Sequence, residues 1–77
     1  MSHRPVKHSL TLNGHRTSVT LEAEFWQAFR DIAAERDQGL NALAAEIDAG
    51  RTADAGLASA IRVFILNHLR QAAPPLD

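Results

Sequence analysis

Residues 8–21 read HSLTLNGHRTSVTL, and this stretch decides the fold. Leu10 and Leu12 flank Thr11, while Thr17, Val19 and Leu21 flank Ser18 and Thr20. Both runs alternate with period two, the pattern of a strand that buries one face. Asn13-Gly14 stands between them. A two-residue type I′ turn needs positive φ at both central positions, and Asn-Gly tolerates it well. Such a loop fixes the register. Leu12 faces His15, Thr11 faces Arg16, Leu10 faces Thr17, Ser9 faces Ser18, His8 faces Val19 and Lys7 faces Thr20. Directly opposed residues share a face. One face therefore carries Leu10, Leu12, Thr17, Val19 and Leu21, with His8 and His15. The other carries Lys7, Ser9, Thr11, Arg16, Ser18 and Thr20, all polar and none acidic.

Downstream the period changes. Phe25, Trp26, Phe29, Ile32, Ala33 and Arg36 follow the spacing of an amphipathic helix, with Glu22 and Glu24 at its favourable N-terminal end. Asp37-Gln38-Gly39 ends it, with the glycine as the expected stop. A shorter helix is expected from Asn41, as N-cap, to Ala49, with Leu40, Leu43, Ala44 and Ile47 inward. Gly50 to Gly56 reads as a loop. A third helix over 57–71 carries Leu57, Ala60, Ile61, Phe64, Ile65 and Leu69 on one broad stripe, with Val63 and Leu66 on the far side. A helix apolar nearly all round is buried on more than one face. The order is hairpin, helix, helix, helix: an α+β domain, mainly α. The chain divides into a flexible basic arm over 1–7, one domain over 8–71 and a short Pro-Pro tail over 72–77.

At 77 residues such a domain buries only about 60% of its unfolded surface, so it gains much from association. A second copy is the simplest cover for the two-sided third helix. Cysteine is absent, which excludes disulfides, thiolate nucleophiles and thiolate metal sites. No run approaches the ~18 apolar residues of a membrane span, and the polar start MSHRPVKHS is no secretory signal. A cytoplasmic protein without a membrane partner is expected. The net charge of −1 hides an asymmetry. Residues 1–21 hold Arg4, Lys7 and Arg16 and no acid, while residues 22–77 hold nine acids against five arginines. Three histidines, His3, His8 and His15, lie in the basic part. A basic piece on an acidic body suits one surface that meets phosphate; it equally suits a solvated arm.

Enzymatic signals are lacking: the chain has no P-loop, GxGxxG, nucleophile elbow or HExxH. His8 and His15 can share a sheet face, but no acid or cysteine completes a metal tetrad there. No cofactor or metal is expected. Trp26 and the phenylalanines, at helical spacing, read as core, with Trp26 substantially buried against Phe29 and the third helix. Arg62 either anchors a phosphate or pairs with an acid, the commoner fate.

Arg16 to Leu21 followed by EAEFW, a polar alternating strand leading straight into an amphipathic helix, resembles the ribbon-helix-helix superfamily of Arc- and MetJ-like repressors. The resemblance implies an intertwined homodimer in which this strand pairs antiparallel with its copy, and a ribbon that enters the major groove of double-stranded DNA. Carried over residue by residue, it implies that Arg16, Ser18 and Thr20 contact bases. Thr17, Val19 and Leu21 then enter a shared core with Trp26, Phe29, Ile61, Phe64 and Ile65. Gly39-Leu40-Asn41 resembles the family's loop before its second helix, whose N-terminus holds a phosphate. Asn41 is the matching residue, and Arg4, Lys7, Ser9 and Thr11 are the further expected phosphate contacts. The chain departs from the pattern by an added first strand and a third helix, so either 41–49 or 57–71 takes the place of the second helix.

The added strand raises a geometric question. Strands lie ~4.8 Å apart, and the major groove is ~12 Å wide. A four-stranded dimer sheet is too wide to insert flat. Its outer strands then lie against the phosphates, or the first strand detaches, or the sheet binds protein. The expected function is a repressor-like, sequence-specific transcriptional regulator; the alternative is a protein-interaction module or antitoxin-like domain of the same fold that binds a protein partner.

Overall fold

The computed structural model describes residues 4–72. The outer ends of the expected arm and tail, His3 among them, lie outside the described residues. Two strands, β1 (Val6–Leu12) and β2 (His15–Leu21), precede three helices, α1 (Ala23–Glu35), α2 (Leu40–Gly50) and α3 (Leu57–Ala72). β1 already starts at Val6, inside the segment read as arm.

β1 and β2 form an antiparallel hairpin in the register that the turn dictates, from Val6 opposite Leu21 to Leu12 opposite His15. Asn13 (φ 52) and Gly14 (φ 84) supply the two positive φ values that a type I′ turn demands. Leu10, Leu12, Val19 and Leu21 are buried, and His8 is half-buried. Thr17 and His15, placed on this face by alternation, are exposed. They flank a shallow depression beside Leu57, where α3 begins and leaves the turn end of β2 uncovered.

α1 ends differently from the expectation. Its left-handed residue is Asp37 (φ 51), not Gly39. The Asp37 amide donates to the Ala34 carbonyl (3.0 Å) and the Gln38 amide to the Ala33 carbonyl (2.9 Å), the paired bonds of a Schellman terminus. Gly39 instead precedes α2 in extended conformation (φ −64, ψ 145) as its N-cap. Asn41 is thus inside the first turn and is not the cap. The loop from α2 to α3 is held by Arg51, which bonds Asp48 Oδ1 (2.6 Å) and the Ala55 carbonyl (2.8 Å).

α2 packs under β1 and α3 under β2, with α1 against both other helices. Phe29, Leu43 and Ile61 are fully buried at the centre, joined by Ile32, Ala33, Ala44 and Ile65. Trp26 is substantially but not fully buried against the core. Its main partner is His8 of β1, whose ring stacks on it at 3.8 Å and 3°, while Phe29 is 6.1 Å away. Arg62 takes the pairing role. It donates two hydrogen bonds to Glu22 Oε1 (2.8 and 3.2 Å) and lies over the Phe25 ring. α3 is thereby clamped to the junction between strand and first helix. Val63, Leu66 and Leu69 of α3 remain more than half exposed.

Candidate nucleic-acid interface

The polar face of the hairpin is built by alternation alone. Lys7, Ser9 and Thr11 stand on β1 opposite Thr20, Ser18 and Arg16 on β2, and all of them are exposed. At ~3.4 Å per residue, Arg16 and Thr20 are about 14 Å apart along β2, with Ser18 midway. The hairpin brings together three of the expected phosphate contacts, Lys7, Ser9 and Thr11, beside the three expected base contacts. Arg4 is exposed two residues before β1.

Charge on this face is uncompensated. Among the described residues, Arg36, Arg51 and Arg62 each have a carboxylate partner within 4 Å, and His68 lies 3.7 Å from Glu35. Lys7 and Arg16 have none. No acid lies on the face to offset them, so their field extends outward. The guanidinium of Arg16 presents two parallel donors, and the hydroxyls of Ser18 and Thr20 both donate and accept. Such groups match base edges and phosphate oxygens alike.

Elsewhere, the Arg62 hydrogen bonds hold the Glu22 carboxyl below its ordinary range, and the Thr52 hydroxyl does the same for Asp54. Both lie off the polar face and organise the scaffold. Among the described residues no cluster of His, Asp or Glu has the makings of a metal site, and no helix is long and apolar enough to cross a membrane.

Asn41 lies at the edge of this surface, in a role that its sequence position did not reveal. Its Oδ1 accepts a hydrogen bond from the Thr11 amide at 3.0 Å, 30 residues away in sequence. Gly39 holds the N-cap position, and the Asn41 oxygen meets instead an outward amide of β1 that β2 does not bond. Of the eight residues expected in a shared core, Val19, Leu21, Phe29, Ile61 and Ile65 are buried within one chain. Thr17 is exposed, and Trp26 and Phe64 are partly exposed, so these three are what one chain does not fully bury.

A family model described as a ribbon-helix-helix domain matches residues 5–69, which span the hairpin and nearly all of the three helices. No curated protein and no solved structure gives a match.

Proposed function

The chain belongs to the ribbon-helix-helix family, and on that premise we propose that it is a homodimeric, repressor-like transcriptional regulator that reads double-stranded DNA with the polar face of its hairpin. Members of this family are typically DNA-binding, dimeric and non-enzymatic. The observation that carries the reading is the outer face itself, six exposed polar residues including two unpaired cations and no acid. Arg16, Ser18 and Thr20 meet base edges; Lys7, Ser9 and Thr11, with Arg4 and Asn41, meet phosphates. The protein acts in the cytoplasm, where its DNA is.

β1 stays in place on binding. Leu10 and Leu12 are 2% and 8% exposed, and stripping two leucines from the core costs about 3–6 kcal/mol. The dimer sheet therefore keeps four strands, with ~14 Å between its outer strand axes. That width matches a ribbon whose central pair enters the groove while Lys7, Ser9 and Thr11 ride on the two backbones.

The test is a binding titration against DNA from upstream of the protein's own gene, with Arg16→Ala beside wild type. Loss of a bidentate guanine contact weakens specific binding by ~1–3 kcal/mol and relaxes preference at one position per half-site. Undiminished binding by Arg16→Ala refutes readout by β2. One observation favours a second reading, a protein-interaction module: the exposed Val63, Leu66 and Leu69 ridge on α3 offers an apolar strip that DNA does not need. Failure of the wild type to shift any upstream DNA selects that reading.

A further inference from the structure

A lone hairpin has two outer edges, and their chemistry here is unequal. In a two-residue hairpin the pair flanking the turn exchanges hydrogen bonds, and the pairs alternate thereafter. Leu12 opposite His15 is the flanking pair. The backbone groups of Thr11, Ser9 and Lys7 on β1, and of Arg16, Ser18 and Thr20 on β2, therefore point away from the hairpin. The Thr11 amide shows this directly, since it is free to donate to Asn41.

On β1 three features oppose strand addition. The outward amide nearest the turn is taken by the Asn41 side chain. Lys7 sits at the other end. Pro5, next outward in the same parity, has no N–H to offer. Lysine and proline are devices by which natural sheets blunt an edge, and a side chain seated on an edge amide withdraws that donor from pairing. β2 has neither lysine nor proline, and α3 packs under it as α2 packs under β1, so it is side-chain chemistry that distinguishes the two edges. Among the described residues the outward backbone groups of Arg16, Ser18 and Thr20 have no hydrogen-bond partner.

We infer that Pro5, Lys7 and Asn41 close the β1 edge, so that strand addition is confined to β2 and assembly through the sheet stops at two chains. This rests on the homodimer proposed above and adds what limits it. A second copy is the occupant that suits β2, because its outward groups are self-complementary. An antiparallel pairing with Ser18 opposite Ser18 of the partner subunit sets Arg16 opposite Thr20 of the partner subunit and the reverse. All three outward residues are then bonded on both chains, and the polar face runs unbroken across four strands. Asn41 is thus chiefly an assembly determinant, its amino group alone remaining for a phosphate.

The experiment uses the full chain. Mass is measured by light scattering over a hundredfold concentration range for wild type, for Asn41→Ala, and for Asn41→Ala combined with Pro5→Val and Lys7→Val. Amide exchange is followed at Thr11, Ser9 and Ser18. The wild type is expected to plateau at two chains, with Ser18 gaining protection as concentration rises. Thr11 should exchange at least ~10-fold more slowly than Ser9, since only Thr11 holds an edge bond. Asn41→Ala should erase that difference, and the triple variant should grow past two chains as concentration rises. A folded triple variant that stops at two chains overturns the inference. So does a wild type in which Thr11 and Ser9 exchange alike, and this second readout decides the matter if the triple variant fails to fold. A wild-type mass of one chain overturns the homodimer reading itself, and with it the claim about where assembly stops.

Discussion

Replacing Phe29 and Phe64 by alanine separates what one chain buries from what a partner covers. Phe29 is 0% exposed at the centre of the core. Truncating so buried a phenylalanine costs ~3–5 kcal/mol through lost transfer energy and the cavity left behind. A 77-residue domain has roughly 4–12 kcal/mol of stability, so Phe29→Ala removes about a quarter of it or more. Phe64 is half-buried, with Arg36 Cζ 5.6 Å above its ring and His68 at 6.3 Å. Within one chain its truncation costs somewhat less, ~2–4 kcal/mol, in proportion to the area lost. A dimer that covers the rest of the ring raises the cost to that of Phe29 and makes it depend on protein concentration. Urea denaturation at two concentrations, followed by helical circular dichroism and Trp26 fluorescence, reads both. A Phe29→Ala variant within ~1 kcal/mol of wild type at both concentrations refutes the packing described above. A Phe64 cost that stays low at both removes Phe64 from the dimer core.

Lys7→Ala should weaken all DNA sequences alike and lower the slope of affinity against salt by about one charge, because a phosphate contact releases one counterion; titrations at two salt concentrations measure this. The Glu22 carboxyl is held below its ordinary range in the folded chain, first by the Arg62 hydrogen bond. Its contribution is present above the ordinary glutamate range and is lost as pH falls through the folded-state value. Melting temperature should therefore decline on acidification, and less steeply in Arg62→Met; equal slopes in the two proteins exclude the clamp as a source. Both groups are partly exposed, so water screens the pair and the effect is modest. Asp37→Gly should stabilise the chain by about 0.5–1 kcal/mol, since aspartate occupies a left-handed position that glycine adopts freely; a lowered denaturation midpoint contradicts the Schellman reading.

Local chemistry made much of this protein legible in its sequence. Asn13-Gly14 sets the turn, a two-residue turn sets the register, and period-two alternation divides the hairpin residues between two faces. The uncompensated Lys7 and Arg16 followed from counting acids along one face. The spacing of Phe25, Phe29 and Ile32 placed α1, because helical periodicity is also local.

What stayed hidden depends on which elements meet. The identity of the left-handed residue after α1 turned on how α2 docks. Gly39 was the better candidate by propensity, but the chain needed it extended to start α2, and Asp37 took the turn instead. His8 stacks on Trp26 across 18 residues of sequence, and no local pattern encodes that meeting. Arg62 found Glu22 across 40 residues, and Asn41 found the Thr11 amide across 30. The sequence by itself determined the hairpin, its register, its polar face and the helical stripes, since those depend on residues a few positions apart. Only the tertiary structure decided that α2 brings Asn41 to the Thr11 amide, because a backbone amide carries no sign in the sequence of the side chain that will satisfy it.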